Sequence, residues 1–298
     1  MATRFEFVLH GTNSAALRAA AEEALDEVDR LENLLSLYRP HTDIARLNVG
    51  AAAGRVRIAP ETFRLLQRAV ALAAATQGAF DVTAGALVRA WGFLGGSGAV
   101  ADPAAVAVAR ACVGSDRLEL DEANFTVRFT RPGVLVDLGS IGKGYALDRA
   151  AELLRDAGVT SALLHGGTST AIALGQPPYA ADWKVALPDG GSVALRDESL
   201  SVSAGWGKSF TDAAGQELGH VLDPRRGEPV GGRRWAAVVA PSATDSDALS
   251  TAALLAGDAE LERLRGDFPA ARFLAAAGAE IPYAVPGIRP GGRRHSAW

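Results

Sequence analysis

The chain has 298 residues, 48% apolar and 21% charged, proportions of a folded globular protein long enough for a sizeable core. Lys+Arg 30 against Asp+Glu 34 leave a net charge of −4, which argues against a general electrostatic affinity for nucleic acid. Cys112 is the one cysteine, which excludes an intramolecular disulfide, a cysteine zinc cluster and an iron–sulfur cluster built from this chain alone.

Residues 4–9 read as a first strand, closed by His10-Gly11-Thr12. An amphipathic helix is expected over 14–37, because Leu17, Ala21, Leu25, Val28, Leu31 and Leu35 recur every three or four positions; Asn13 or Ser14 caps it. Residues 55–58 read as a short strand. Pro60 opens a helix to about position 76 that Gly78 terminates. Asp102-Pro103 is a cap followed by a first-turn proline, starting a short helix to about 113. Residues 117–120 and 125–130 alternate as a hairpin, and 134–138 is an apolar run that reads as a strand. A helix then carries Ala146, Leu147, Ala150, Leu153, Leu154 and Ala157, with Gly158 at its end. Short strands broken by Gly and Pro fill 161–239, and helices are expected over 246–255 and 259–265. One domain over 1–281 is expected, with a Pro/Gly/Arg-rich tail over 282–298.

No run of about 18 apolar residues occurs, so no stable membrane insertion is expected. The first residues show neither a basic stretch leading into an apolar core nor a lipid-attachment cysteine. Cytoplasm is therefore the expected location, or periplasm if a leader has been removed.

Chemistry concentrates in a few segments. Asp137-Leu-Gly-Ser-Ile-Gly-Lys-Gly144 places small residues, a cation and unpaired amides at a helix start, where a phosphate is held well. It is not a Walker A loop, since Gly144 follows Lys143 where Ser or Thr is required; a plain tight turn with a solvated lysine is the alternative. In Asp247-Ala-Leu-Ser-Thr251, a carboxylate and a hydroxyl share one helical face and suit a hard ion such as magnesium, although a carboxylate near a helix start also serves as a cap. His220-Val-Leu-Asp-Pro224 sets a histidine before a turn, fit for a phosphate contact, a proton transfer or a purely structural hydrogen bond. Tyr38, Phe80, Trp91 and Trp206 are candidates to stack on a flat ligand, or simply to fill core.

In this order the segments resemble the ApbE family, the FAD:protein FMN transferases. The likeness runs through Ser36-Leu-Tyr-Arg-Pro-His-Thr-Asp-Ile-Ala-Arg-Leu-Asn48, Gly78-Ala-Phe-Asp-Val-Thr83, Trp91-Gly-Phe93, Asp137 to Asp148, Gly166-Gly167, His220 to Pro224 and Asp247 to Thr251. It implies an α+β fold of mixed, largely antiparallel sheet flanked by helices, in two interlocked lobes with FAD bound in a cleft between them. It implies Mg2+ as cofactor and FAD as substrate, with FMN passed to a Thr or Ser hydroxyl of a target flavoprotein and AMP released. By motif position, Asp137 and Lys143 resemble flavin-nucleotide contacts; Tyr38, Ala79, Phe80 and Asp81 match positions lining the FAD site. His10 resembles a flavin-contacting Met in a Met-Gly-Thr segment. Ser140, through its carbonyl, with Asp247 and Thr251, resembles the magnesium set, and Asp247 or His220 is the candidate base. An FAD pyrophosphatase and a non-catalytic flavin-binding protein are the alternative readings. The chain departs from the pattern at Thr168, where an acidic residue is usual, and at Ala204, where a hydroxyl is usual.

Overall fold

The computed structural model describes residues 3–232 and 234–275. Its centre is a six-stranded sheet in the order β1 (Phe5–Leu9), β5 (Ala162–Gly166), β6 (Thr170–Leu174), β9 (Ser199–Ala204), β13 (Trp235–Ala240), β14 (Arg272–Ala275). Every ladder in it is antiparallel. Three smaller sheets are attached: β2 (Val56–Arg57) with β4 (Thr126–Phe129) and β3 (Leu118–Asp121); β7 (Trp183–Ala186) with β8 (Ser192–Leu195); and β10 (Ser209–Thr211), β11 (Glu217–Asp223), β12 (Glu228–Gly231). The helices are α1 (Ser14–Leu35), α2 (Asp43–Gly50), α3 (Pro60–Ala75), α4 (Gly85–Ala90), α5 (Pro103–Arg110), α6 (Gly142–Asp156), α7 (Ala243–Leu255) and α8 (Asp258–Asp267). The mixed α+β architecture with antiparallel sheets is the one expected.

Helices α1, α6 and α7 cover one face of the large sheet. On α1 the buried residues are Ala20, Ala24, Val28, Leu31 and Leu35, a stripe at helical spacing, and the Asn13 side chain caps it by accepting from the Ala16 N–H at 3.1 Å. The β7–β8 hairpin contributes Trp183 and Leu195 to a second cluster with Leu163, Ala171, Ala173, Leu200, Trp235, Ala237 and Val239, on the sheet's other face. Alternation along β5 and β13 divides residues between the two layers, as a pleated strand requires.

Two differences from the sequence reading matter for the site. Residues 134–138 form an extended segment rather than a ladder strand, with one isolated bridge between Ala84 and Leu135. The side chain of Asn48 takes the place of a neighbouring strand: Val136 N–H donates to Asn48 Oδ1 at 2.7 Å and Asn48 Nδ2 donates back to the Val136 carbonyl at 2.9 Å. Helix α7 begins at Ala243 rather than 246, because Ser242 caps it and Asp148 of α6 accepts from four donors there: the Ala243 and Thr244 amides and the Ser242 and Thr244 hydroxyls. Nearly all of α7 is buried, so no amphipathic stripe marked its start. Helices α2 and α4 and strand β14 also escaped the sequence reading, and the tail over 282–298 lies outside the described residues.

Candidate functional site

Helix α6 carries no side-chain cap on its N-cap residue Ile141; the Ile141 and Gly142 amides donate to the Leu138 carbonyl at 3.1 and 2.7 Å instead. Helix α7 crosses there at a close distance that only glycine permits. A Cβ on Gly144 would sit 2.0 Å from the Ala243 carbonyl oxygen. This approach lets the Gly144 N–H donate to Asp247 Oδ2 at 3.1 Å. Lys143 Nζ reaches Asp247 Oδ1 at 3.1 Å and Oδ2 at 3.3 Å, and also donates to the Gly139 carbonyl at 3.1 Å. Thr170 of β6 adds its hydroxyl to Asp247 Oδ1 at 3.4 Å. Asp247 is therefore neither a cap of its own helix nor a solvated charge: it sits in the second turn of α7, its side chain 6% exposed, against a lysine that is 20% exposed.

Thr251, one turn further along α7, lies 3.2 Å from Ser203 Oγ and 3.5 Å from the Asp247 carbonyl. Ser140 lies in the turn between Gly139 and α6, and Lys143 ties that turn to Asp247. Asp137 precedes the turn and accepts from the Gly139 N–H at 2.9 Å. Burial pushes its carboxyl up from the usual range, while the Gly139 amide and the Lys143 charge pull the other way.

The segment holding Ala79, Phe80 and Asp81 runs beside Asp137, whose N–H donates to the Val82 carbonyl at 2.7 Å. The Phe80 side chain is 1% exposed and fills core. The Asp81 carboxylate is consumed internally by the Thr83 amide and hydroxyl and by the Ser115 amide. All three residues are buried, and the Ala79 and Phe80 amides donate to the Thr76 carbonyl and hydroxyl. Tyr38 is the opposite case, 62% exposed, and burial together with the nearby Asp137 charge raises its hydroxyl pKa. Trp91 donates from Nε1 to the Gly227 carbonyl at 2.9 Å and, with Phe93, packs on Phe210, so it joins α4 to the β10–β12 sheet.

His220, on β11, has Nδ1 3.2 Å from the Lys208 carbonyl. A carbonyl only accepts, so Nδ1 carries the proton and Nε2 keeps a lone pair. Burial of the ring depresses its pKa; the hydrogen bond to Lys208 opposes that, and the charges of Lys208 and Lys143 add to it. Its interaction with Lys143 brings His220 within the electrostatic reach of the Lys143–Asp247 pair.

His10 lies apart from the Lys143–Asp247 pair. His10 continues past the end of β1, where its N–H donates to the Ser161 carbonyl at 2.9 Å and its ring stacks on Trp183 at 5.6 Å. The register places Leu9 opposite Ala162, and Ala162 opposite Leu174, whereas Asp247 contacts Thr170, four residues or roughly 13 Å along β6. Antiparallel pairing sends His10 to the opposite end of the sheet from Asp247. The other end of β1 is the near one: the Gly167 N–H donates to the Arg4 carbonyl at 2.8 Å, and a Cβ on Gly167 would fall 2.2 Å from Thr3 Oγ1.

Thr170, Ser203 and Ser250 were not singled out from sequence. A signal existed for two of them: Ser199, Ser201 and Ser203 alternate on one strand face, and Ser246 and Ser250 lie one helical turn apart.

A lysine and a carboxylate at a helix start, with hydroxyls behind them, form a polar centre able to hold a phosphoryl group, the kind of site a group-transfer enzyme uses. Comparison with known proteins specifies this class. The ApbE family pattern matches residues 1–271. An FAD:protein FMN transferase of Treponema pallidum is 31% identical over 277 residues, covering 86% of this chain and 76% of that protein. One of Rhodobacter capsulatus is 31% identical over 271 residues, 88% of this chain; the chain spans about half, 51%, of that relative's length. Among solved structures, the ApbE protein of Thermotoga maritima superposes with a TM-score of 0.81 at 26% identity, covering 91% of this chain and 94% of that one. The chain belongs to the ApbE family, whose matched relatives are transferases.

Proposed function

We propose that this chain transfers FMN from FAD to a Thr or Ser hydroxyl of a target flavoprotein, with Mg2+ present and AMP released. The observation that carries the reading is the Lys143–Asp247 contact at the start of α6, in a chain whose relatives are named FAD:protein FMN transferases. In the reaction, the acceptor oxygen bonds to the phosphorus nearer the riboflavin. The bond from that phosphorus to the bridging oxygen breaks, and AMP leaves with that oxygen. Lys143 and the positive end of the α6 dipole stabilise the charge that develops on the phosphoryl oxygens.

The acceptor proton needs a base. The carboxylate of Asp247 already accepts from Lys143, Gly144 and Thr170, which makes it a poor one. What supports His220 is its neutral ring with Nδ1–H committed to Lys208 and Nε2 left as an acceptor.

The residues present fit Mg2+: the Asp247 carboxylate, the Thr251 hydroxyl and the Ser140 carbonyl are all hard oxygen donors. One carboxylate completed by substrate phosphate is the usual magnesium arrangement. When bound, the ion supplies charge neutralisation on the pyrophosphate. The exposure of Tyr38 beside Asp137 supports a role for it in covering a flat ring.

The test is product analysis with FAD and MgCl2, with and without a flavoprotein acceptor bearing an exposed Thr or Ser. AMP together with covalently flavinylated acceptor supports the transferase. FMN and AMP without acceptor points to a pyrophosphatase, and bound, intact FAD to a flavin-binding protein.

A further inference from the structure

Between β9 and α7 lies a hydrogen-bonded row of hydroxyls. Ser199 donates to the Ala240 carbonyl at 2.8 Å and meets Ser246 at 3.0 Å, and Ser201 meets Ser246 at 2.9 Å. One step nearer the site, Ser203 meets Ser250 at 2.9 Å and Thr251 at 3.2 Å.

Counting protons gives that last group a direction. A hydroxyl has one proton and two lone pairs. Ser250 Oγ lies 2.9 Å from the Asp247 backbone carbonyl, which can only accept, so the Ser250 proton is committed there. Ser203 must then donate to Ser250, and Thr251 must donate to Ser203. The competing acceptor for Thr251, the Asp247 carbonyl, stands at 3.5 Å and is the weaker choice.

We propose that Ser203 is a positioning residue: it draws the Thr251 proton inward and leaves the Thr251 lone pairs for a divalent cation held with Asp247. The inference rests on the metal reading above and deepens it. A cation needs a lone pair and is repelled by an O–H turned towards it. Without Ser203, only the long 3.5 Å contact to the Asp247 carbonyl is left to hold the Thr251 proton inward, and the hydroxyl is more often turned the wrong way for the ion. The β9 alternation makes the arrangement possible, since positions 199, 201 and 203 face α7 together. Ser199 and Ser201 end on Ser246 and never reach Thr251, so the same strand contains its own control.

The experiment is a Mn2+ titration of the full chain with FAD and no acceptor, free ion being read by electron paramagnetic resonance, for wild type, Ser203→Ala, Ser203→Thr, Ser199→Ala and Asp247→Ala. Partners that orient a metal ligand typically govern affinity by 10–100-fold, so Ser203→Ala is expected to weaken binding roughly tenfold or more. Ser203→Thr, which keeps the hydroxyl, recovers most of that loss, and Ser199→Ala binds as wild type while melting at a lower temperature. Wild-type affinity in Ser203→Ala, or an equal loss in Ser199→Ala, overturns the relay. If Ser203→Ala does not fold, Ser250→Ala breaks the next link and is expected to weaken binding in the same direction; unchanged affinity there also overturns it. Equal binding by wild type and Asp247→Ala overturns the metal reading itself, and the relay with it.

Discussion

Lys143 Nζ and Asp247 Oδ1 stand 3.1 Å apart although 104 positions separate them in the chain. Each lies near the start of a helix, α6 and α7, and Asp148 joins the two helices by accepting from four donors at the first turn of α7. The pair is thus set by helix packing and held on both sides.

Substituting Asp247→Ala removes the carboxylate and leaves Lys143, the Gly144 amide and Thr170 without their common acceptor. AMP release measured by chromatography is expected to fall by at least about 100-fold, the scale of losing one preorganised electrostatic group. FAD binding, followed by flavin fluorescence, is expected to survive in part. AMP release at the wild-type rate would remove Asp247 from the site.

Gly144→Ala places a methyl group where the Ala243 carbonyl oxygen now lies 2.0 Å from the ideal Cβ position. The atoms it meets are backbone and cannot swing aside, so α6 and α7 must separate. The expected cost is about 3 kcal/mol, the upper part of the range for overpacking, in denaturant unfolding. AMP release should fall with it, because the Gly144 amide no longer reaches Asp247. An unfolding midpoint equal to wild type contradicts the close approach.

Asp148→Ala strips α7 of the carboxylate that four donors share. Loss of a helix cap with its buried donors left unpaired is expected to cost about 2 kcal/mol. Asp148→Asn, which keeps one acceptor oxygen, should recover part of that. Thermal melts of the two variants against wild type decide the matter, and equal melting temperatures would rule out the capping role.

The His220 ring is depressed below its ordinary pKa of about 6.5, so it stays neutral further into acid than a solvated histidine. If it is the base, the rate falls with decreasing pH only below that value, as the ring protonates. His220→Gln should remove this acid limb from the pH–rate profile and lower the plateau by about 100-fold. A profile whose acid limb survives the substitution would transfer the base role elsewhere. For stability the sign follows from the same shift: the unfolded chain binds the proton more readily, so His220 lowers stability as pH drops through about 6.5 towards the folded pKa.

Much of the fold was legible because its signals are local. Asn13, Pro60, Gly78 and Asp102-Pro103 mark helix boundaries through caps and fixed dihedrals, and α1 shows its buried stripe at helical spacing. The α7 start at Ala243 has a local signal in the Ser242 cap that a start at 246 passes over, whereas its second partner, Asp148, is 95 positions away and leaves no local trace. The segment 134–138 misled for a related reason: an apolar run looks like a strand whether its amides pair with a strand or, as here, with Asn48.

The candidate site divides in the same way. The sequence by itself determined the inventory: a glycine turn before a helix with Lys143, a carboxylate and a hydroxyl at i and i+4 in Asp247 and Thr251, and a histidine before an Asp-Pro turn. Spacing along one helix is a local property, so that pairing was readable. Only the tertiary structure decided which of these meet. Antiparallel register carries His10 to the far end of β1 and brings Thr3 to Gly167, and core packing turns Phe80 inward and leaves Tyr38 exposed. The contact between Lys143 and Asp247, and the hydroxyls of Thr170 and Ser203 behind it, depend on two helices and a sheet closing on one another. Hydrogen bonds act over about 3 Å, and no local pattern specifies which distant segments will come that close.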